Sequence, residues 1–211
     1  MNDINNILIL APHTDDGEFG CGGTIARFIQ EGKTVSYLAF SAAEKSVPKQ
    51  FPRNVLKKEV KEATLVLGIP GENLTILSYP VRNFSSYRQK ILEDMIRFKE
   101  ILSPDIVFLP CPNDTHQDHQ VIAQEGFRAF KDITMLGYEV PSNNPVFNTS
   151  VFILLQESHL LKKIEAMKCY KSQTHRNNIT EDLIRSLAKI RGVQIKCQYA
   201  EAFELVRWVI K

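Results

Sequence analysis

Residues 7–23 read ILILAPHTDDGEFGCGG. Four branched apolar residues, Ile7-Leu8-Ile9-Leu10, come first. A short unbroken apolar run bounded by polar residues suits a strand buried on both faces of a parallel sheet. The run ends at Ala11-Pro12, and His13, Asp15 and Asp16 follow at once. Gly17, Gly20, Gly22 and Gly23 come next, and a helical pattern occupies about residues 24–30. Strand, polar turn and helix in that order make the first half of a βαβ unit. In open α/β sheets ligands bind outside the carboxyl ends of such strands, which is where this imidazole and these two carboxylates fall.

The same layout returns a hundred residues later. Residues 106–109 (IVFL) form another buried-strand run, closed by Pro110 and followed by the polar cluster NDTHQDHQ at 113–120, then by a helix over about 120–130. In a parallel sheet both polar turns lie on one edge, so His13 and His119 are expected to meet. Between them, the pattern predicts strands at 34–40 and 74–77 and helices over 54–67 and from Ile91 to Leu102. Gly32 and Gly68 act as helix stops, and the last of these helices ends before Pro104. Beyond them, it predicts a strand at 151–155, helices over 159–170 and 181–191, and a last apolar segment at 202–210. Strands alternating with helices of this length predict a three-layer α/β/α, Rossmann-like domain with a mostly parallel sheet, one domain spanning residues 1–211.

Composition narrows the function. Of 211 residues 44% are hydrophobic, enough for one sizeable core. Net charge is +2, from 26 basic and 24 acidic side chains with no basic block, so a nucleic-acid partner is not expected. No apolar run approaches the roughly 18 residues of a membrane span, and the polar start MNDINN predicts no signal peptide. Cys21, Cys111, Cys169 and Cys197 lie far apart with no C-x-x-C pair, which favours reduced thiols and a cytoplasmic protein. Exposed faces of an α/β domain often associate, so a homo-oligomer is compatible with the sequence.

The two clusters supply His13-x-x-Asp16 and His116-x-x-His119. Two imidazoles and a carboxylate that leave a position open are the ligand set of a catalytic zinc site, and the same set suits non-haem iron. A hydrolase needs more, and more is present. Asp15 is placed to take a proton from the attacking water, and whichever histidine is not a ligand can serve as acid or oxyanion partner. Asp118, between the two histidines, is placed to hold one of them in its tautomer. Plainer readings exist: Asp-Asp before glycine is ordinary helix N-cap material. Three of the five histidines, however, directly follow the two buried-strand runs. His159 reads as a surface or capping residue at a helix start, and His175, in KSQTHRNN, as a loop residue within reach of a substrate. Cys21 reads as a packed thiol. The glycines do not have the G-x-G-x-x-G spacing, and two carboxylates would repel a pyrophosphate there.

The segment P-H-T-D-D-G-E-F-G-C-G-G resembles the P-H-P-D-D-x-x-x-x-x-G-G signature of the PIG-L/LmbE-like N-deacetylases, and D-T-H-Q-D-H-Q is similar to that family's H-x-D-H element. Residues 59–68 (EVKEATLVLG) and the tail containing Arg191-Gly192 and residues 199–203 (YAEAF) agree with it. The family includes deacetylases of N-acetylglucosaminyl-phosphatidylinositol, of mycothiol and bacillithiol precursors and of some antibiotic sugars. Carried over by position, the resemblance implies His13, Asp16 and His119 as Zn²⁺ ligands and Asp15 as general base. It implies His116 as acid and oxyanion stabiliser, with Asp118 behind it. Thr14 replaces the signature's second proline. Leu56 stands where some thiol-precursor deacetylases carry a substrate-binding arginine, leaving Arg53, Arg82 and Arg88, in the loops 41–53 and 79–88, as candidates for that contact.

The expectation is a cytoplasmic, zinc-dependent amidohydrolase that removes the acetyl group of a small N-acetylated amino sugar or its conjugate. Its rivals are a phosphoesterase on the same ligands and a non-catalytic sugar-binding module.

Overall fold

Strand β1 (Asn6–His13) is buried along almost its whole length, as its apolar run requires. The structure, a computed structural model, describes residues 4–174 and 180–210. Six further strands join β1: β2 (Thr34–Ser41), β3 (Leu74–Ile76), β4 (Ile106–Pro110), β5 (Thr134–Tyr138), β6 (Val151–Leu155) and β7 (Tyr199–Arg207). They form one sheet in the order β3-β2-β1-β4-β5-β7-β6. The pairings from β3 across to β5 are parallel, and β7 runs antiparallel to both β5 and β6.

The helices are α1 (Asp16–Gln30), α2 (Val55–Leu67), α3 (Arg88–Leu102), α4 (Gln117–Ala129), α5 (Glu157–Lys168) and α6 (Glu181–Gln194). Alternation along β1 assigns the layers. Ile7, Ile9 and Ala11 pack with Ile25, Val60, Leu160, Ile164 and Ile184 of α1, α2, α5 and α6. Leu8 and Leu10 pack with Ile91, Met95, Val121 and Ile122 of α3 and α4. The three-layer architecture and the mostly parallel sheet are as the sequence predicts. Since β1 lies between β2 and β4, the chain reverses its direction of winding between β1 and β4, and the crevice beyond their carboxyl ends is the switch point of the sheet.

Three elements depart from expectation. Strand β5 has no counterpart among the expected elements: TMLGY is short and its Gly137 breaks the apolar run, although all five residues are buried. The last apolar segment forms β7 at residues 199–207 instead of 202–210, and it runs against its neighbours. Helix α1 begins at Asp16, eight residues before the expected start, because its first turns are rich in glycine and show no apolar period. Gly20 must be glycine here, since a Cβ would stand 2.4 Å from the Tyr138 ring.

Helix α1 is broken at Cys21, whose backbone (φ −145°, ψ 24°) is not helical. The break frees backbone N–H groups that a continuous helix would satisfy. Two of them, on Gly23 and Thr24, donate to the carboxylate of Glu201 on β7 at 3.1 and 2.7 Å. The Lys163 ammonium of α5 pairs with the same carboxylate at 2.6 Å, and both side chains are buried. Removing one partner of a buried pair leaves the other charge uncompensated. Glu201→Ala is therefore expected to lower the unfolding free energy by about 3–5 kcal/mol, read by chemical denaturation. A loss below about 1 kcal/mol, the size of an ordinary exposed cap, would show that Glu201 does not hold the break.

Candidate metal centre

The carboxyl ends of β1 and β4 bring the two polar clusters together. His13 is the last residue of β1, and Asp16 opens α1 three residues on. The Asp16 Oδ2 atom accepts the His13 backbone N–H at 2.8 Å, which closes the turn, and lies 3.1 Å from His13 Nδ1. His116 is the N-cap of α4, with its Nδ1 accepting the Asp118 N–H at 3.2 Å. His119 follows in the first turn, buried, with Nε2 3.2 Å from the same Asp16 oxygen and 3.4 Å from His13 Nδ1. His13, Asp16 and His119 thus each offer one donor atom within 4.8 Å of the others, a group able to hold a metal ion.

The outward nitrogens are also committed. His13 Nε2 lies 3.0 Å from Asp118 Oδ2, and His119 Nδ1 lies 2.8 Å from Asp114 Oδ2. Both carboxylates are buried. A carboxylate that takes the outer N–H fixes the tautomer and aims the other lone pair inward, the arrangement of metal-binding histidines. The donor set therefore fits a metal. Asp118 stands behind His13 and not behind His116, to which it turns only its backbone N–H. Asp114 is absent from the expected set; its signal is a carboxylate five residues before His119 in the same polar turn. In a second grouping, of His13, His116 and Asp118, the His13 Nε2 and Asp118 Oδ2 atoms are already hydrogen-bonded to each other.

Electrostatics agree. Burial alone would lower the His13 pKa, but the Asp16 charge and bonds to Asp118 and Asp16 raise it to about 9. Burial likewise opposes the charge on His119, yet Asp16 and Asp114 raise its pKa to about 10. Against the penalty of burial, the two histidines hold the Asp16 carboxyl well below the usual range. His116, half-buried beside two positive neighbours, is pushed down to about 4, first by burial and then by those charges.

Beneath the turn, Glu18 is fully buried, and burial raises its pKa to about 8 against hydrogen bonds to Tyr37 and Tyr170 that lower it. The two phenol oxygens also lie 2.9 and 2.6 Å from the Thr14 carbonyl oxygen. This neutral network fixes the backbone between His13 and Asp15 from below. Glu18 gives no sign of it in the sequence.

A cavity of about 380 Å³ opens over the cluster. His13, Asp15, Asp16, His116 and His119 line one end, and Phe19, Leu56, Val81 and Val140 supply apolar wall. The loops 41–53 and 79–88 both contribute, through Ala43, Ser46, Val81 and Arg82, while Ser142, Asn143 and Gln173 come from segments outside the expected pocket. The three arginines separate. Arg82 lines the cavity, the Arg88 guanidinium is paired with the buried Glu125 at 2.5 Å, and Arg53 donates to the Glu44 carbonyl at 3.5 Å. His159 caps α5, as expected, but is buried and not on the surface. Cys21 is a packed thiol, pushed up by burial. His175 lies outside the described residues.

The PIG-L family model, described as GlcNAc-PI de-N-acetylase, matches residues 8–130. The uncharacterized deacetylase YaiS of Escherichia coli (strain K12) is 30% identical over 182 residues, 81% of this chain and 93% of YaiS. The diacetylchitobiose deacetylase of Thermococcus kodakarensis is 25% identical over 92% of this chain and 70% of its own. Among solved structures, a conserved protein of Thermus thermophilus superposes with a TM-score of 0.78 at 24% identity, covering 99% of this chain and 97% of that one.

A metal ion must displace the protons that His13 and His119 carry below about pH 9. Zinc binding at pH 7 is therefore expected to release more than one proton, and its apparent affinity to rise from pH 6 to pH 8 by at least about tenfold per pH unit. Calorimetry in buffers of different ionisation enthalpy counts the protons. Affinity independent of pH in this range would show that the two histidines do not carry these protons in the metal-free protein.

Proposed function

The chain belongs to the PIG-L family, and on that premise we propose that it is a zinc-dependent hydrolase that removes the acetyl group of an N-acetylated amino sugar or its conjugate. The observation that carries the reading is the convergence of His13, Asp16 and His119 at one end of a cavity that Asp15 and His116 also line. The names of YaiS and of the Thermococcus diacetylchitobiose deacetylase support a deacetylase, and the latter an amino-sugar substrate.

In this reading His13 Nδ1, Asp16 Oδ2 and His119 Nε2 hold the ion. When bound, zinc supplies a Lewis acid for the amide carbonyl and makes the attacking water more acidic. The remaining steps belong to the chain. Asp15, at the mouth of the turn, takes a proton from the water as it attacks the carbonyl carbon. His116 has Nδ1 occupied by the Asp118 N–H, so its neutral ring carries the proton on Nε2 and can donate to the developing oxyanion. When the C–N bond breaks, the nitrogen needs one proton, and the one on Asp15 is at hand. Acetate and a free amine leave. Val81, Leu56 and Phe19 exclude water from part of the cavity wall, and Arg82, the arginine among its lining residues, is the candidate contact for the sugar.

The two adjacent carboxylates separate ligand from base. Asp16→Ala and His119→Ala are expected to purify with little zinc and no activity. Asp15→Ala and His116→Ala are expected to keep zinc and lose about 10²–10⁴-fold in acetate release from N-acetylated sugars. Metal analysis of the four proteins decides, and zinc lost from Asp15→Ala but retained by Asp16→Ala reverses the assignment. Among the arginines, Arg82→Ala should raise KM more than it lowers kcat, whereas Arg88→Ala should leave KM unchanged. Equal KM values for the parent and Arg82→Ala would remove this arginine from the pocket.

A further inference from the structure

Among the described residues, the cavity lining holds one buried polar side-chain atom without a partner. Gln173 is 7% exposed, it lines the cavity, and its Oε1 atom is buried with no hydrogen bond to a described residue. The other end of the amide is fixed. Nε2 donates to Ser172 Oγ at 3.1 Å, and Ser172 Oγ donates to Glu59 Oε2 at 2.6 Å. Glu59 also accepts the Ser172 backbone N–H at 2.8 Å, and both residues are buried. Because the Ser172 hydroxyl has spent its only proton on a carboxylate, it can only accept from Gln173. The amide nitrogen therefore faces Ser172, and the carbonyl oxygen is the atom left over.

A buried acceptor without a donor costs free energy, and a ligand that supplies the missing group recovers it. We propose that Gln173 is a substrate-binding residue whose side-chain oxygen accepts a hydrogen bond from a hydroxyl or amide N–H of the bound sugar. The inference rests on the amino-sugar reading above. The chain Glu59–Ser172–Gln173 is then a positioning relay. A carboxylate on α2 orients a hydroxyl, the hydroxyl orients an amide, and the amide presents an acceptor that cannot turn away. An acceptor held this way discriminates strongly, since an analogue lacking the donor leaves the oxygen unpaired in the complex as well.

The test compares the parent with Gln173→Met, which preserves length and removes both polar atoms. The thermal midpoint of Gln173→Met should be equal to or above the parent's, because an unsatisfied oxygen has been removed along with one hydrogen bond. KM for N-acetylglucosamine should rise about tenfold with little change in kcat. With the 3-, 4- and 6-deoxy analogues, the parent should lose rate where the donor is deleted and Gln173→Met should not lose it again. If no hydroxyl shows this pattern while KM still rises, the donor is the acetamide N–H. A folded Gln173→Met with the parent's KM and the parent's ranking of analogues overturns the proposal and leaves the deacetylase reading standing. If the parent releases no acetate from any of these sugars and calorimetry detects no binding of them, the amino-sugar reading fails and this inference with it.

Discussion

One carboxylate oxygen, Oδ2 of Asp16, lies 2.8 Å from the His13 backbone nitrogen, 3.1 Å from His13 Nδ1 and 3.2 Å from His119 Nε2. It joins the end of β1, the start of α1 and the first turn of α4. A lone carboxylate in so enclosed a place would protonate to avoid the cost of burial. It stays ionised because two imidazoles face it, and these stay oriented because Asp118 and Asp114 hold their far sides. Three carboxylates around two histidines make a cage with excess negative charge when the rings are neutral. A divalent cation would bring the same two positive charges as two protons, placed among the three donor atoms of His13, Asp16 and His119.

The cage is tied to the walls of the cavity. Besides His13, the Asp118 carboxylate accepts the backbone N–H groups of Arg82 at 2.5 Å and of Phe84 at 3.2 Å. Arg82 has φ of 65°, a left-handed conformation that costs a non-glycine residue about 1–3 kcal/mol. The charge-assisted bond to Asp118 is what offsets it. The loop that carries the candidate sugar contact and the ring of a candidate metal ligand therefore depend on one carboxylate. Disturbing either displaces the other.

Much of this is legible in the sequence, and the reasons differ by element. Ile7-Leu8-Ile9-Leu10 and Ile106-Val107-Phe108-Leu109 announce central strands because a doubly buried strand needs no polar face. Given parallel strands, the meeting of His13 with His119 follows from topology alone. The direction of Asp118 does not follow, because sequence order places it beside His116 while the helix turns its side chain toward His13. Glu18 is hidden because it acts through Tyr37 and Tyr170, far away in the chain, and Gln173 because the Glu59 that orients it through Ser172 is distant, whereas Asp114 stands only five residues before the ring it holds. Arg88 looks like a pocket residue on loop composition, and only its neighbour Glu125, a residue of the next helix, shows otherwise. Strand β5 is lost to its own shortness, with Gly137 giving way to the Cys111 backbone where a branched residue would have signalled a strand.

The distribution of charge over the cavity limits how a substrate can be recognised. Its negative groups, Asp15 and Asp16, are gathered with the histidines, and among the described lining residues Arg82 is the one lysine or arginine. Leu56 adds an apolar surface to the wall. An anionic conjugate would therefore find one partner, exposed and screened by solvent. The other polar groups, on Ser46, Ser142, Asn143 and Gln173, are uncharged. Groups of this kind match hydroxyls and amides, and they distinguish ligands by directed hydrogen bonds instead of by charge. A wall of valine and leucine separates ligands differing by one methylene only about 10–200-fold, whereas a site that must satisfy a buried polar atom can discriminate by about 10⁴ or more. Selectivity in this cavity should therefore reside in its neutral polar residues, with the apolar wall setting size and excluding water.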